Sequence, residues 1–369
     1  MMNHPYESEL KALKRSGRYR ERRIRDSSLI DAASNDYLGL AEKKELHLKA
    51  CETLARYPDH APKASMLVNG YHPIHAAFEN ALCDANGFEA GIVMGSGFNA
   101  NIGLIEALVR KGDVLLMDEE YHASGVAGSR MCEGEVIFFP HNDASALEKE
   151  LIRSFGKRII VAVEGIYSMG GDLVPKAIIE LAIAHEAILI LDEAHSSGVI
   201  GTHLMGILDY YAIEPTPLMI KMGTLGKAYG SFGAYVLSSA HISDYLINRA
   251  KNVIYATAPS LYDTARAHHA LEYIQSHTLE LREQIANRQK IVYELLGLRC
   301  AGLIVPIEIG DNREVMRLQE ILKNEMGFHV GAIRQPTVKK AILRLIARVD
   351  IDESRLRDVC ERLTHIWVK

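Results

Sequence analysis

No uninterrupted apolar stretch in the sequence reaches the length that crosses a bilayer as a helix. The Lys- and Arg-punctuated N-terminus is not followed by the apolar segment of a secretion signal either. A basic excess is also lacking. Lys and Arg number 42 against 47 Asp and Glu, a net charge of −5, which argues against a nucleic-acid-binding chain. The five cysteines (Cys51, Cys83, Cys132, Cys300, Cys360) are scattered and form no C-x-x-C pair, so reduced thiols and no structural zinc are expected. His72 and His75 have the spacing of a metal pair but no third ligand nearby, and no metal is expected. Internal repeats and low-complexity tracts are missing. The expectation is a cytoplasmic protein without membrane or nucleic-acid partners.

What is present is enough chain for a main domain with a smaller one attached. Residues 8–25 are basic and helix-like, with Lys11, Lys14, Arg15, Arg18, Arg20, Arg22, Arg23 and Arg25. They read either as a solvated face or as an arm for an anionic substrate. From Asp113 the pattern alternates. Largely apolar strands are expected at Val114–Met117, Val136–Phe139, Arg158–Val163, Ala187–Leu191 and Leu218–Met222, with amphipathic helices at Ala144–Ser154 and Lys176–Glu186. Such alternation indicates an α/β fold with a mainly parallel sheet covered on both faces. A helical region from Leu261 to Leu296 precedes strands and helices of a smaller α+β domain. The expected divisions are a basic arm over 1–36, a large domain over 37–273 and a small domain over 274–369.

In parallel sheets ligands bind beyond the carboxyl ends of the strands. The chemistry-bearing residues fall there: His122 after one strand, Glu164 and Ser168 after another, Asp192 and His195 after a third, Thr224 and Lys227 after a fourth. A lysine among small residues, in Met222-Gly-Thr-Leu-Gly-Lys-Ala-Tyr-Gly230, reads alone as readily as a surface lysine. Asp192 shifts the reading. A Schiff-base lysine, a carboxylate for a pyridinium nitrogen and small residues for a phosphate are what pyridoxal 5'-phosphate requires. Ser96, Gly97 and Phe98 open a helix after a strand, a placement suited to phosphate. His195 could bond the cofactor's phenolic oxygen, and His122 could stack on its ring.

Taken together, Ser34-Asn-Asp-Tyr-Leu-Gly-Leu40, Ser96-Gly-Phe-Asn-Ala-Asn101, Tyr121-His-Ala-Ser124, Glu164-Gly-Ile-Tyr-Ser-Met169, Asp192-Glu-Ala-His-Ser196, Thr224-Leu-Gly-Lys227 and Tyr255-Ala-Thr257 resemble the α-oxoamine synthases. These are pyridoxal-phosphate transferases of the aspartate-aminotransferase fold type, and the resemblance covers almost the whole chain. It implies a homodimer with the site at the interface, Thr257 reaching the phosphate of the partner's cofactor. It implies an amino acid joined to an acyl thioester, on CoA or on an acyl carrier protein, with loss of carbon dioxide. Lys227 would remove the α-proton, with His122, Asp192, His195 and Ser168 as the other catalytic residues and Glu164 beside the cofactor.

Gly331-Ala-Ile-Arg-Gln-Pro-Thr-Val338 resembles the branch that uses L-alanine and a pimeloyl thioester in biotin synthesis; the rival branch uses glycine and acetyl-CoA. Arg334 is the candidate for the substrate carboxylate, with Arg344 a second, because an arginine fork pairs bidentately with a carboxylate. Arg15 and Asn35 complete the expected substrate contacts. Departures from the family pattern are Gly170 where Asp is frequent, Met205 where Arg is common, and a short N-terminal region. Aminotransfer on the same fold, and a cofactor-binding interaction protein without activity, are the other readings.

Overall fold

A computed structural model describes residues 4–22 and 24–367; Arg23 of the basic stretch lies outside the described residues. The described residues form eleven strands in chain order: β1 Ile30–Ala32, β2 Ala90–Met94, β3 Val114–Asp118, β4 Glu135–Phe139, β5 Ile159–Glu164, β6 Ile188–Asp192, β7 Met219–Thr224, β8 Ala234–Ser238, β9 Ile304–Gly310, β10 Phe328–Ile333 and β11 Ala341–Ile346. The chain divides into two compact units. One takes in Asn35–Ser168 and Asp172–Ala286. The other takes in the described chain up to Ser34, Met169–Gly171 and the chain from Asn287 onward.

The larger unit holds a seven-stranded sheet in the order β2-β8-β7-β6-β5-β3-β4. Only β8 runs against its neighbours; the other strands are parallel, the mainly parallel arrangement that the sequence pattern implies. Every residue of β3 and of β5 is buried. Successive side chains on a strand point to opposite faces, so complete burial means that both faces are covered there. β4 stands at the edge, and its exposed Glu135 and Phe138 mark the change.

Helix Gly97–Leu108 supplies Leu104, Ile105 and Leu108 to a core that includes Leu115, Met117, Ile160, Ile190 and Ile220. Each such side chain contributes about 1.5–3 kcal/mol on full burial. That packing holds the strand ends at a fixed height. One turn there depends on glycine. Gly230 has φ of +58°, and a Cβ on it would collide with the backbone of Leu40 and Ala41.

The smaller unit holds a four-stranded sheet, β1-β10-β11-β9. Here the expected domain limits need correction. The N-terminal segment is no separate arm of 36 residues, because β1 pairs in parallel with Phe328–Val330 of β10. Buried Arg348 bonds Asp31 and Ser34, each at 2.9 Å, and ties that segment down further. Helix in the basic stretch is confined to Glu7–Arg15. The second limit falls between Ala286 and Asn287 rather than after 273, inside helix Thr278–Leu296. Helical periodicity runs through such a point without a mark. The expected Leu261–Leu296 region is two helices, Leu261–Ser276 and Thr278–Leu296.

Candidate active site

The carboxyl ends of β3, β5, β6 and β7 surround a cavity of about 190 Å³ in the larger unit. Lys227, three residues beyond β7, lines it together with Thr224. Lys227 Nζ lies 2.8 Å from His195 Nε2, and His195 Nδ1 lies 2.6 Å from the Tyr37 hydroxyl.

Asp192 ends β6 and is buried. Its Oδ1 accepts from the Ala194 amide at 3.0 Å, and its Oδ2 accepts from Asn101 Nδ2 at 2.7 Å. Register places Glu164 beside it as the cross-strand partner on β5. Burial, reinforced by the Asp192 charge, pushes the Glu164 carboxyl well above the usual carboxylate range, against a smaller opposing pull from Lys227. Glu164 Oε2 accepts from the Ser168 amide at 3.1 Å, while buried Oε1 has no protein partner among the described residues.

His122 lies beyond β3 and caps the short helix Ala123–Ser129. Its Nδ1 lies 2.6 Å from Ser124 Oγ and accepts from the Ser124 amide at 3.3 Å. An acceptor role at Nδ1 leaves the ring proton on Nε2. Burial lowers the His122 pKa, and Lys227 adds to the effect against an opposing pull from Asp192, so the ring is neutral near pH 7.

Opposite this group, Ser96 caps helix Gly97–Leu108 through a bond from the Asn99 amide at 3.3 Å. The backbone N–H groups of such a first turn favour an anion. Gly97 faces Thr224: a Cβ on the glycine would stand 3.5 Å from Thr224 Cβ and 3.7 Å from its Oγ1. Glycine therefore leaves open a cradle that a side chain would fill.

The cavity thus gathers Gly97, Phe98, His122, Glu164, Asp192 and His195 with Thr224 and Lys227. Ser96, Ser168, Asn35 and Thr257 do not line it. Ser168 is buried against Glu164, Asn35 accepts from the Tyr37 hydroxyl at 3.3 Å, and Thr257 is exposed and bridges Ser65. Arg15, Arg334 and Arg344 belong to the smaller unit. Arg15 is exposed, Arg334 Nη1 donates to the Gly17 carbonyl at 2.8 Å, and Arg344 is buried on β11.

The sequence reading gave no role to Asn101, Ser124 or Tyr121. Asn101 Nδ2 also reaches Ser124 Oγ at 2.9 Å, and its Oδ1 accepts from the Tyr121 hydroxyl at 2.9 Å. One buried amide thus joins the surroundings of Asp192 to those of His122. Its signal in the sequence is its place at the end of the motif Ser96-Gly-Phe-Asn-Ala-Asn101, which assigns it no partner. Met205 is buried, and its carbonyl accepts from Lys221 Nζ. Lys221, buried on β7, also donates to Asn86 Oδ1 at 2.6 Å and is a cation that acts on buried Glu193. His72 and His75 cap the helix that begins at Pro73.

The donor set fits pyridoxal phosphate: an amine, a carboxylate held by two donors, an unmet Glu164 oxygen and an open anion cradle.

Comparison with known proteins agrees. Residues 27–363 match the family described as aminotransferase class I and II. An 8-amino-7-oxononanoate synthase of Helicobacter pylori (strain ATCC 700392 / 26695) is 44% identical over 344 residues, 92% of this chain and 91% of that protein. A synthase of the same name from Geobacter sulfurreducens is 36% identical over 366 residues, covering 93% and 92%. Among solved structures, a serine palmitoyltransferase variant from S. paucimobilis with a PLP–myriocin adduct bound superposes with a TM-score of 0.87. That match has 24% identity and covers 97% of this chain and 96% of the other, a likeness of fold.

Proposed function

This chain belongs to the class I and II aminotransferase family, and on that premise we propose that it acts as an 8-amino-7-oxononanoate synthase. The reaction joins L-alanine to a pimeloyl thioester, releases the thiol and loses the alanine carboxylate as carbon dioxide. The observation that carries the reading is the convergence of Lys227, Asp192, His195 and His122 on one cavity at the carboxyl edge of the sheet.

Pyridoxal phosphate, when bound, supplies an electron sink for a carbanion at the amino acid's α-carbon. Lys227 would hold it and, once displaced by the substrate amine, take the α-proton at Nζ. Asp192, fixed from both sides by Asn101 and the Ala194 amide, would retain a proton on the ring nitrogen. His122, neutral, would pack against the ring, and His195 would bond the phenolic oxygen. Glu164, whose carboxyl burial holds well above the usual carboxylate range, would stand beside the cofactor. Ser96, the Gly97 and Phe98 amides and the Thr224 hydroxyl would take the phosphate. Ser168 is proposed at the incoming acyl group, with Arg334 or Arg344 on the substrate carboxylate and Arg15 and Asn35 as further substrate contacts.

A homodimer is part of the same reading. Exposed Leu67, Val68, Phe98, Phe232 and Tyr255 give the larger unit apolar side chains without cover in one chain. Thr257 does not line the cavity of its own chain, in keeping with a reach to the partner's phosphate. Sedimentation at micromolar concentration tests this; a monomer that still turns over would contradict it. No helix among the described residues is long and apolar enough to cross a membrane. A cytoplasmic location belongs to the proposal, as does delivery of the acyl group on CoA or a carrier protein.

The assay compares thiol release by the loaded protein with L-alanine plus pimeloyl-CoA, L-alanine plus a pimeloyl carrier protein, and glycine plus acetyl-CoA. Release with either alanine pair supports the proposal, and preference for the glycine pair would move the chain to the other branch.

A further inference from the structure

Tyr37 has no part in the reading so far. Its side chain is 1% exposed, and its hydroxyl lies 2.6 Å from His195 Nδ1 and 3.3 Å from Asn35 Oδ1. Beyond the ring, Nε2 stands 2.8 Å from Lys227 Nζ. Lysine, imidazole, phenol and amide therefore form one hydrogen-bonded line.

Chemistry gives the line a direction. An ammonium only donates, so Nε2 must accept from Lys227. A neutral imidazole that accepts at Nε2 carries its hydrogen on Nδ1, which then donates to the Tyr37 oxygen. The Tyr37 hydroxyl hydrogen is left to point at Asn35 Oδ1, the contact observed. With Lys227 charged, this order gives each of the three contacts one donor and one acceptor. His195 is 5% exposed, so an unmet ring nitrogen would be costly.

We infer that Tyr37 is a positioning residue that holds His195 with its hydrogen on Nδ1, so that Nε2 is the proton acceptor for the Lys227 ammonium. In the transfer one proton leaves Nζ and bonds to Nε2. Lys227 becomes the neutral amine with its lone pair free, and His195 becomes an imidazolium whose Nδ1–H stays bonded to Tyr37. The amine form is the one that can attack an aldehyde carbon. Glu164 and His122 also feel the Lys227 charge, Asp192 lines the same cavity, and all three are unchanged in the test below. The inference rests on the proposed function only in taking Lys227 as the amine that meets the cofactor aldehyde.

The test mixes apoprotein with pyridoxal phosphate and follows covalent attachment by absorbance from pH 6 to 9. Borohydride reduction and peptide mass mapping then locate the attachment. Tyr37→Phe is expected to slow attachment roughly tenfold at neutral pH, the effect of one lost hydrogen bond, and to displace the rate profile toward higher pH. A merely structural role would leave the profile in place. Equal rates and superimposable profiles would overturn the inference and leave the cofactor reading intact. No mass increase on Lys227 in the unaltered protein would overturn both. Should Tyr37→Phe fail to fold, ¹⁵N-histidine spectra of the unaltered apoprotein decide, with the His195 signals assigned by their loss in His195→Gln. Protonation at Nδ1 is expected, and protonation at Nε2 would overturn the inference.

Discussion

Asn101 Nδ2 stands 2.7 Å from Asp192 Oδ2 in the buried floor of the site, and the same nitrogen reaches Ser124 at 2.9 Å. A neutral amide thus fixes the carboxylate that faces the cavity and, through Ser124, the ring of His122. The aspartate and histidine stand on different strand ends, and Asn101 on a third element makes one unit of them.

Removing that amide should be felt at Asp192 first. Asn101→Ala leaves a buried carboxylate one donor short, a loss of about 1–3 kcal/mol. Pyridoxal phosphate should bind roughly tenfold more weakly by fluorescence titration. Asn101→Asp should be worse, since it sets a second carboxylate against Asp192. Wild-type affinity in both variants would contradict this.

Glu164 should tolerate loss of its charge but not of its shape. Its folded pKa is raised, so the native state binds the proton more tightly than the unfolded chain. That stabilising contribution is present below the unfolded value near 4.5 and is lost as pH rises toward the raised folded value. Glu164→Gln should therefore keep cofactor affinity within about threefold and flatten the pH dependence of stability. Glu164→Ala should lose about 1–3 kcal/mol of stability with the bond to the Ser168 amide. Urea midpoints at pH 5 and 8 check both.

His141 supplies a second pH signature. Burial alone would lower its pKa, but bonds to Asp118 at 2.9 Å and Asp172 at 2.8 Å raise it to about 10. A raised histidine stabilises fully below its unfolded value near 6.5 and loses that contribution as pH rises through about 10. Urea midpoints of the unaltered protein should fall between pH 7 and 10, and His141→Gln should fall less. Parallel curves would contradict the pairing.

Lys221→Met should be among the most destabilising changes in the larger unit. It leaves the Met205 carbonyl and Asn86 Oδ1 without their buried donor and removes the nearby cation that acts on Glu193, a loss of about 1–3 kcal/mol in urea unfolding. Adding Met205→Arg should recover part of the loss, since that position lies where Lys221 Nζ is already bonded. No recovery would show that the two positions do not share one charge.

Much of the larger unit was legible because its strands are buried on both faces and therefore read as apolar runs between helices. That pattern located β3, β5, β6 and β7 and with them Glu164, Asp192, Thr224 and Lys227, since ligands gather beyond carboxyl ends. Asn101 and Tyr37 were not legible as site residues. Their meaning comes from contacts 91 and 158 positions away, and no local period encodes such distances. The unit boundary failed for a related reason: Ile30–Ala32 gains its place by pairing with Phe328–Val330, a partner far along the chain. Lys221 was hidden by appearing as one polar residue in an apolar strand, where its partners, Asn86 and the Met205 carbonyl, lie far along the chain.

The most direct test of the central claim uses uniformly ¹³C-labelled L-alanine with a pimeloyl thioester and the PLP-loaded protein, and weighs the product by mass spectrometry. The expected product is 8-amino-7-oxononanoate retaining two of the three labelled carbons, with the third found as carbon dioxide and no product from Lys227→Ala. A product that keeps all three labels, an equal yield from Lys227→Ala, or labelled pyruvate in place of the condensation product would contradict the account.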